Sequence, residues 1–190
     1  NFLGVKWLMR KFSLVRFKKA LDKYQYGLKD IGWNSLFYEN HDQRRSVGRF
    51  NTDDSNYRVE SAKLLATTMY FLKGTPFIYQ GQEIGMTNIK IKDINDYDDV
   101  EVHGFYKDYV LDKKVMTYEE FLDGCNKEAR DNNRTPIQWD DSVNAGFNKG
   151  AKPWLKINEN YKTINVEKQI KNKNSILNFY KELIKLRKSQ

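Results

Sequence analysis

The chain has 190 residues and a formal net charge of +8, and 39% of its residues are hydrophobic and 14% aromatic. This aromatic content excludes an intrinsically disordered chain, because disordered segments are poor in aromatic and β-branched residues. The single cysteine, Cys125, excludes an internal disulfide and a zinc site built from cysteines. The longest mostly apolar run, residues 64–72, is far shorter than the roughly 18 residues of a membrane span. We therefore expect a cytoplasmic, globular chain with no membrane partner.

The basic residues are scattered along the chain, as in Lys18-Lys19 and Lys113-Lys114. Nucleic-acid binding requires a basic face with aromatic side chains interleaved for stacking. The scatter favours a solvated lysine-rich surface, so we expect no nucleic-acid partner.

The first half of the chain predicts alternating helices and strands. Apolar residues spaced three and four apart predict a helix over residues 14–31, which Gly32 ends, and a buried strand follows over residues 33–38. A second helix over residues 57–72 leads to another short strand over residues 77–79. Strand, helix and strand form one βαβ unit, in which the two strands are parallel. Both strands end in polar residues at the same edge, which is where a (β/α) barrel builds its active site.

The second half is less periodic. Residues 87–116 predict a long, partly ordered βα loop, and Thr117 to Glu120 form a capping box that opens a helix. Residues 130–154 predict another loop, and the last helix begins near Ser175. Two strands cannot close an eight-stranded barrel. We therefore expect an α/β fold that is the C-terminal portion of a (β/α)₈ TIM barrel, with residues 1–190 forming an incomplete domain that begins at Asn1 in mid-sequence.

Asn40-His41-Asp42, at the end of the first strand, is the first candidate site. A carboxylate beside an imidazole can stabilise a positively charged transition state or bind sugar hydroxyls. The structural alternative is that Asp42 caps the loop and His41 is a hydrogen-bonded polar residue.

Two further polar clusters follow. Glu83 lies between Gly81 and Gly85, which predict a sharp turn with the acid at the barrel mouth; orienting backbone amides is the alternative role. Residues 130–140 combine arginines, amides and an indole, a mixture typical of carbohydrate sites, although a basic surface loop can also contain it.

These motifs carry a specific resemblance. Residues 32–43, which include Asn40-His41-Asp42, resemble the last conserved sequence region of the α-amylase superfamily of glycoside hydrolases. Residues 73–86 and 130–140 resemble a narrower group that contains oligo-1,6-glucosidase, dextran glucosidase, trehalose-6-phosphate hydrolase and sucrose isomerase. The resemblance extends over residues 5–187, with the three motifs in the same order.

The resemblance implies a retaining α-glucosidase on a (β/α)₈ barrel. In such enzymes one aspartate attacks the anomeric carbon and a glutamate about 5 Å away protonates the leaving oxygen. A second aspartate, matched by Asp42, stabilises the transition state. His41 and Arg130 match residues that bind the terminal glucose, and Asn40 and Glu83 are further substrate-binding candidates.

Within the group, the resemblance favours an exo-acting enzyme that hydrolyses α-1,6-linked gluco-oligosaccharides, as oligo-1,6-glucosidase or dextran glucosidase does. Trehalose-6-phosphate hydrolase and a non-catalytic carbohydrate-binding or chaperone relative are the alternatives. Arg44 and Asp98 depart from the family pattern, and Arg44 is expected to loosen the loop beside Asp42.

The nucleophile and the acid match nothing in these 190 residues and are expected upstream, so the isolated chain should be inactive. We expect no cofactor and no metal ligand within this chain, and a calcium site elsewhere in the parent stays open. The expected partners are an oligosaccharide substrate, the remainder of the barrel and, for the isolated chain, further copies that pair with its open strand edges.

Overall fold

The structure, a computed structural model, describes Trp7 and residues 12–189 and contains one parallel pair of strands packed with helices. The strands are β1 (Ser35–Leu36) and β2 (Thr75–Pro76), and Ser35 lies opposite Thr75. The α-helices are, in chain order, α1 (Leu14–Gly27), α2 (Ser46–Phe50), α3 (Arg58–Tyr70), α4 (Val100–Phe105), α5 (Tyr118–Glu128), α6 (Asp131–Arg134), α7 (Val166–Lys171) and α8 (Ile176–Lys188). The described residues form no closed barrel, since the two strands pair only with each other.

The predicted βαβ unit is confirmed. Helix α3 connects β1 to β2, and the strands are parallel. The Thr75 amide donates to the Asn34 carbonyl at 2.7 Å, and the Phe77 amide donates to the Leu36 carbonyl at 2.8 Å. Pro76 fits between them because the proline position donates no ladder hydrogen bond. The carboxyl ends of β1 and β2 therefore lie at the same edge.

The strand bounds differ from the prediction. The first strand covers only part of residues 33–38, and the second lies at Thr75–Pro76 rather than at residues 77–79. Apolar runs indicated the position of each strand but not its pairing, which depends on neighbouring backbone. Among the described residues each strand pairs only with the other, and the ladder covers two positions in each strand.

Helix α1 ends before its predicted bound at residue 31. Ser13 accepts a hydrogen bond from the Arg16 amide at the N-terminus, and the Leu28 amide donates to the Tyr24 carbonyl at 3.1 Å beyond the C-terminus. Ile31, which the periodicity placed on the buried face, is 85% exposed. Apolar spacing continued past the last helical turn, so the predicted stop at residue 32 was wrong.

The buried apolar side chains form two clusters. We call the first the barrel-side cluster, because it packs β1 against α3 and α8; its members are Leu36, Tyr38, Val47, Ala62, Leu65, Ala66, Met69, Tyr70, Ile176, Tyr180 and Leu183. We call the second the loop-side cluster, because all its members except Trp7 lie in the segment after β2; its members are Trp7, Ile89, Ile91, Ile94, Tyr97, Val102, Met116, Phe121, Cys125 and Ala129. Fully burying one large apolar side chain contributes roughly 1.5–3 kcal/mol, so both clusters are substantial.

The loop-side cluster corrects the prediction of a long, partly ordered loop. Residues 87–116 contain α4 and a π-helix at Tyr106–Asp112, and the predicted loop over 130–154 contains α6. These helices are too short to produce a clear periodic pattern. Two helix starts are confirmed: Thr117 and Glu120 form the reciprocal capping box of α5, and Ser175 caps α8.

Candidate active site

The turn that carries the first candidate residues lies directly after β1. The Asn40 side-chain oxygen accepts from the Asp42 amide at 2.9 Å, and the Gln43 amide donates to the Asn40 carbonyl at 3.2 Å. The Asn133 side chain also donates to the Asn40 carbonyl, at 3.0 Å. Asn40 thus shapes this turn and connects it to α6, and its predicted contact with substrate stays a prediction.

Asp42 lies at the centre of the site, and its carboxylate is 46% exposed. One oxygen, Oδ2, is 3.2 Å from Nε2 of His41. The other, Oδ1, accepts from Nη2 of Arg134 at 3.2 Å and lies 3.7 Å from Nη1 of Arg130. The fold therefore brings together three predicted site residues, Asp42, His41 and Arg130, and leaves the carboxylate accessible.

A buried carboxylate fixes Arg130. Nε of Arg130 donates to Oδ2 of Asp99 at 2.8 Å, Nη2 donates to Oδ1 of the same residue, and Glu101 lies 3.5 Å away. These hydrogen bonds, led by those to Asp99, raise the pKa of Arg130, so it remains a cation. Burial alone would raise the pKa of Asp99. The hydrogen bonds that its carboxylate accepts from Arg130 and the Glu101 amide have the larger combined effect, so the pKa of Asp99 is lowered. Such a two-point contact restricts the guanidinium plane.

Arg134 is a site residue that the sequence reasoning did not single out. Its Nε donates to the His41 carbonyl at 3.0 Å, in addition to the contact with Asp42. Arg134 lies four residues after Arg130, a spacing that places two side chains on one side of a helical turn. This spacing was the signal that could have found it.

A buried ion pair supports the strand ends. Nη1 of Arg45 lies 3.1 Å from Oε2 of Glu39 and donates to the Gln80 carbonyl at 2.7 Å, and both charged side chains are almost fully buried. The amide and hydroxyl of Ser46 donate to Oε1 of Glu39 at 2.7 and 2.6 Å. Arg45 therefore connects the residues that follow β1 with those that follow β2, beneath the Asp42 turn.

Glu83 forms no hydrogen bond or ion pair with Asp42 or with the side chains that contact Asp42, among the described residues. It lies in a 3₁₀ turn (Gln82–Ile84), and its Oε2 is buried without a hydrogen-bond partner in the described part of the chain. Burial raises its pKa, an effect that nearby backbone groups and Arg45 partly offset. The predicted sharp turn is confirmed at Gly81, which has a φ of 86° and where a Cβ would lie 3.1 Å from Nη1 of Arg45. A substrate contact for Glu83 stays a prediction.

Arg44, which departs from the family pattern, forms an ion pair with the loop-side segment, and the expected loosening of the loop beside Asp42 stays a prediction. Its Nη2 lies 3.2 Å from Oε1 of Glu128 at the end of α5, and the Arg44 side chain is mostly buried. The residue after Gln43 is thus attached to the loop-side segment.

Comparison with protein families decides the relationship. The family model for the α-amylase catalytic domain matches residues 2–190. The chain belongs to the α-amylase catalytic-domain family. This family and its solved members are TIM-barrel enzymes, whereas the described residues of this chain form one βαβ unit and no closed barrel.

Individual relatives are more specific. The chain is 50% identical over 184 residues to oligo-1,6-glucosidase from Heyndrickxia coagulans, covering 97% of this chain and 33% of that protein. It is 43% identical over 186 residues to trehalose-6-phosphate hydrolase from Bacillus subtilis strain 168, covering 97% and 32%. A mutant isomaltulose synthase from Erwinia rhapontici NX5, solved in complex with sucrose, superimposes with a TM-score of 0.92 at 48% identity, over 97% of this chain and 33% of that one. The chain thus spans about one third of the length of the relatives it matches.

Proposed function

We propose that the protein containing this chain is a retaining, exo-acting α-glucosidase that hydrolyses α-1,6-linked gluco-oligosaccharides. The observation that carries the proposal is the accessible Asp42 carboxylate, flanked by His41, Arg130 and Arg134 at the carboxyl end of β1. The 50% identity to oligo-1,6-glucosidase supports the substrate class.

In this proposal Asp42 stabilises the oxocarbenium-like transition state by its negative charge. Two further carboxylates are needed, a nucleophile and a general acid, and the remainder of the barrel supplies them. Asp42 is suited to its role because its carboxylate is accessible at the same edge where a barrel places substrate.

Terminal glucose is bound by the polar groups around Asp42. The guanidinium groups of Arg130 and Arg134 present several donors in a fixed plane, which suits neighbouring hydroxyl groups. His41 is the most exposed of these groups, and its Nε2 lies 3.2 Å from the other oxygen of the same carboxylate, Oδ2. The site therefore offers donors around one acid, the arrangement that a sugar ring with several hydroxyls requires.

We propose that the reaction needs no organic cofactor and takes place in the cytoplasm. Within Trp7 and residues 12–189, no three His, Cys, Asp or Glu side chains are grouped so as to hold a metal ion. None of the helices described for this chain is both long enough and apolar enough to span a membrane.

Substrate specificity is tested on the full-length protein with isomaltose, trehalose 6-phosphate and sucrose. We expect hydrolysis of isomaltose to be the fastest. Replacement of the stabilising charge in Asp42→Asn should lower kcat by about 10² to 10³-fold, with a smaller change in KM. Asp123→Asn, which removes an exposed carboxylate paired with Lys127 in α5, is the matched control and should retain full activity.

The alternatives predict other outcomes. Preferred cleavage of trehalose 6-phosphate would favour the trehalose-6-phosphate hydrolase function, which the 43% identity to that enzyme supports. No turnover of any of the three sugars, together with measurable glucose binding, would favour a non-catalytic carbohydrate-binding relative.

The isolated chain is proposed to be inactive, because Asp42 alone supplies one of three carboxylates. Among the described residues each strand has an unpaired edge, and Phe37 and Phe77 beside the strands are exposed, so the isolated chain is also proposed to self-associate. Assay of purified residues 1–190 on isomaltose, with light scattering on the same sample, checks both statements. Turnover by a monomeric sample would contradict them.

A further inference from the structure

An open groove of about 440 Å³ lies in the part of the chain that follows β2. It is formed by two stretches of chain, residues 95–98 and residues 152–157, together with Asn144. Its most prominent side chain is Trp154, which is 69% exposed. A tryptophan placed at the surface offers a large apolar face that the fold does not use for its core.

The indole ring is held in one orientation by a hydrogen bond. Nε1 of Trp154 donates to Oδ2 of Asp98 at 2.7 Å. Because the polar edge of the ring is occupied by this bond, the ring faces remain available for contact. A rigid aromatic face of this kind binds the apolar side of a sugar ring at low conformational cost.

The groove is connected to the residues that position Arg130. The Asp98 amide donates to Oδ2 of Asp131 at 2.8 Å, and the next residue, Asp99, holds the Arg130 guanidinium. The support of Trp154 is therefore adjacent in sequence to the support of a site arginine. Through Asp99 and Arg130, whose Nη1 lies 3.7 Å from Oδ1 of Asp42, the groove is connected to the candidate site.

The remaining lining combines polar side chains with Tyr97, Pro153, Leu155 and Ile157. Lys156 forms an ion pair with Asp96, and Lys152 and Asn144 lie along the same groove. Amide, carboxylate and ammonium groups around one aromatic face are complementary to a ring that is apolar on its face and hydroxylated at its edge.

We propose that Trp154 and Asp98 form a distal subsite for a glucosyl unit beyond the two units that flank the cleaved bond. Trp154 stacks on the sugar ring, and Asp98 orients the indole and accepts a hydrogen bond from a hydroxyl group. The inference rests on the proposed function and specifies that chains of three or more glucose units gain a contact that isomaltose does not make. Trp154 is a specificity residue in this assignment and not a catalytic one.

The test compares isomaltose with isomaltotriose and isomaltotetraose in the full-length protein. Trp154→Ala should lower kcat/KM for the two longer sugars by about tenfold, equivalent to about 1.4 kcal/mol, and change the value for isomaltose by less than twofold. Trp154→Phe keeps a ring and should recover most of the loss. Trp33→Ala is the matched control, since Trp33 is also an exposed tryptophan whose Nε1 donates to a side chain, Thr75.

The outcomes separate the subsite from the proposed function. An equal loss for isomaltose and the longer sugars in Trp154→Ala, or no loss for any, would overturn the subsite while leaving the α-glucosidase function intact. If the wild type hydrolyses none of these sugars, the function fails, and calorimetric binding of isomaltotriose decides the subsite. Binding to the wild type that is tenfold weaker in Trp154→Ala supports it, and equal or undetectable binding in both overturns it.

Discussion

The barrel-side and loop-side clusters hold different parts of one site. The barrel-side cluster packs the regular elements β1, α3 and α8, and the Asp42 turn follows β1 directly. The loop-side cluster packs short helices and irregular chain, and Arg130 and Arg134 follow α5 at its edge. Acid and cations therefore come from two separately packed regions.

The contacts that cross between these regions at the site are polar. Asn133 donates to the Asn40 carbonyl at 3.0 Å, and the Tyr79 hydroxyl donates to the Asn133 carbonyl at 2.9 Å. Arg134 adds its bonds to His41 and Asp42. Because hydrogen bonds depend on direction and distance more strongly than apolar contacts do, a small shift of either region changes the geometry around Asp42. A cavity in the loop-side cluster should therefore change mainly KM, and a cavity in the barrel-side cluster should change mainly kcat.

The largest effect is expected from removing one large side chain from each cluster. Phe121 is fully buried, with its ring centroid 5.5 Å from that of Trp7, and Met69 is 1% exposed in α3. Phe121→Ala should cost about 3–5 kcal/mol and Met69→Ala about 2–5 kcal/mol of unfolding free energy, because each leaves a cavity. In the full-length protein Phe121→Ala should mainly raise KM, since it loosens the arginines, and Met69→Ala should mainly lower kcat, since it loosens Asp42.

Urea unfolding and steady-state kinetics on isomaltose measure these effects. Phe121→Leu and Met69→Leu preserve most of the volume and should cost less than about 1.5 kcal/mol. A rise in KM of the same size from both alanine variants would show that the two clusters do not act on the site separately.

The sequence predicted the barrel-side region well. Spacing of apolar residues predicted α3 and α8, and strand–helix–strand order predicted the parallel pairing and the edge at which Asp42 lies. The strand bounds could not be predicted in the same way, since pairing depends on backbone brought together only by folding. The excess length assigned to α1 has a similar origin, because apolar spacing alone does not mark where backbone hydrogen bonding ends.

The loop-side region was predicted poorly for a physical reason. The six-residue α4 is stabilised by packing of Val102 and Phe105 in the cluster of Phe121 and Trp7, and the four-residue α6 by hydrogen bonds of its buried polar side chains, rather than by their own periodicity. The site reflects this difference. Asp42 and His41 were found from their place after a strand, whereas Arg134 and the Asp99 support of Arg130 depend on a fold that the sequence pattern did not reveal.

A smaller effect, within the loop-side region, is expected from Asp99→Asn. The variant loses a buried charge that accepts two hydrogen bonds from Arg130, which should cost about 1–3 kcal/mol at pH 7. Since the pKa of Asp99 is lowered in the folded chain, its contribution is present above the unfolded pKa near 3.8 and is lost as pH falls through the folded value. The stability difference between wild type and Asp99→Asn should therefore be full at pH 7 and shrink below about pH 4, as measured by urea unfolding of the full-length protein.

Asp131→Asn is the matched control, because Asp131 is a buried neighbour of Arg130 with the opposite pKa shift. Burial raises its pKa, and the bonds that its Oδ2 accepts from the Asp98 and Asp99 amides offset only part of this. An acid whose pKa is raised in the folded chain contributes stability below its unfolded pKa. This contribution is lost as pH rises through the folded pKa. Relative to wild type, the stability of Asp131→Asn should therefore increase as pH rises above about 4, whereas that of Asp99→Asn should decrease. If the unfolding free energy relative to wild type changed with pH in the same direction in both variants, Asp99 would not be the residue that positions Arg130. Its carboxylate would then behave as that of Asp131 does.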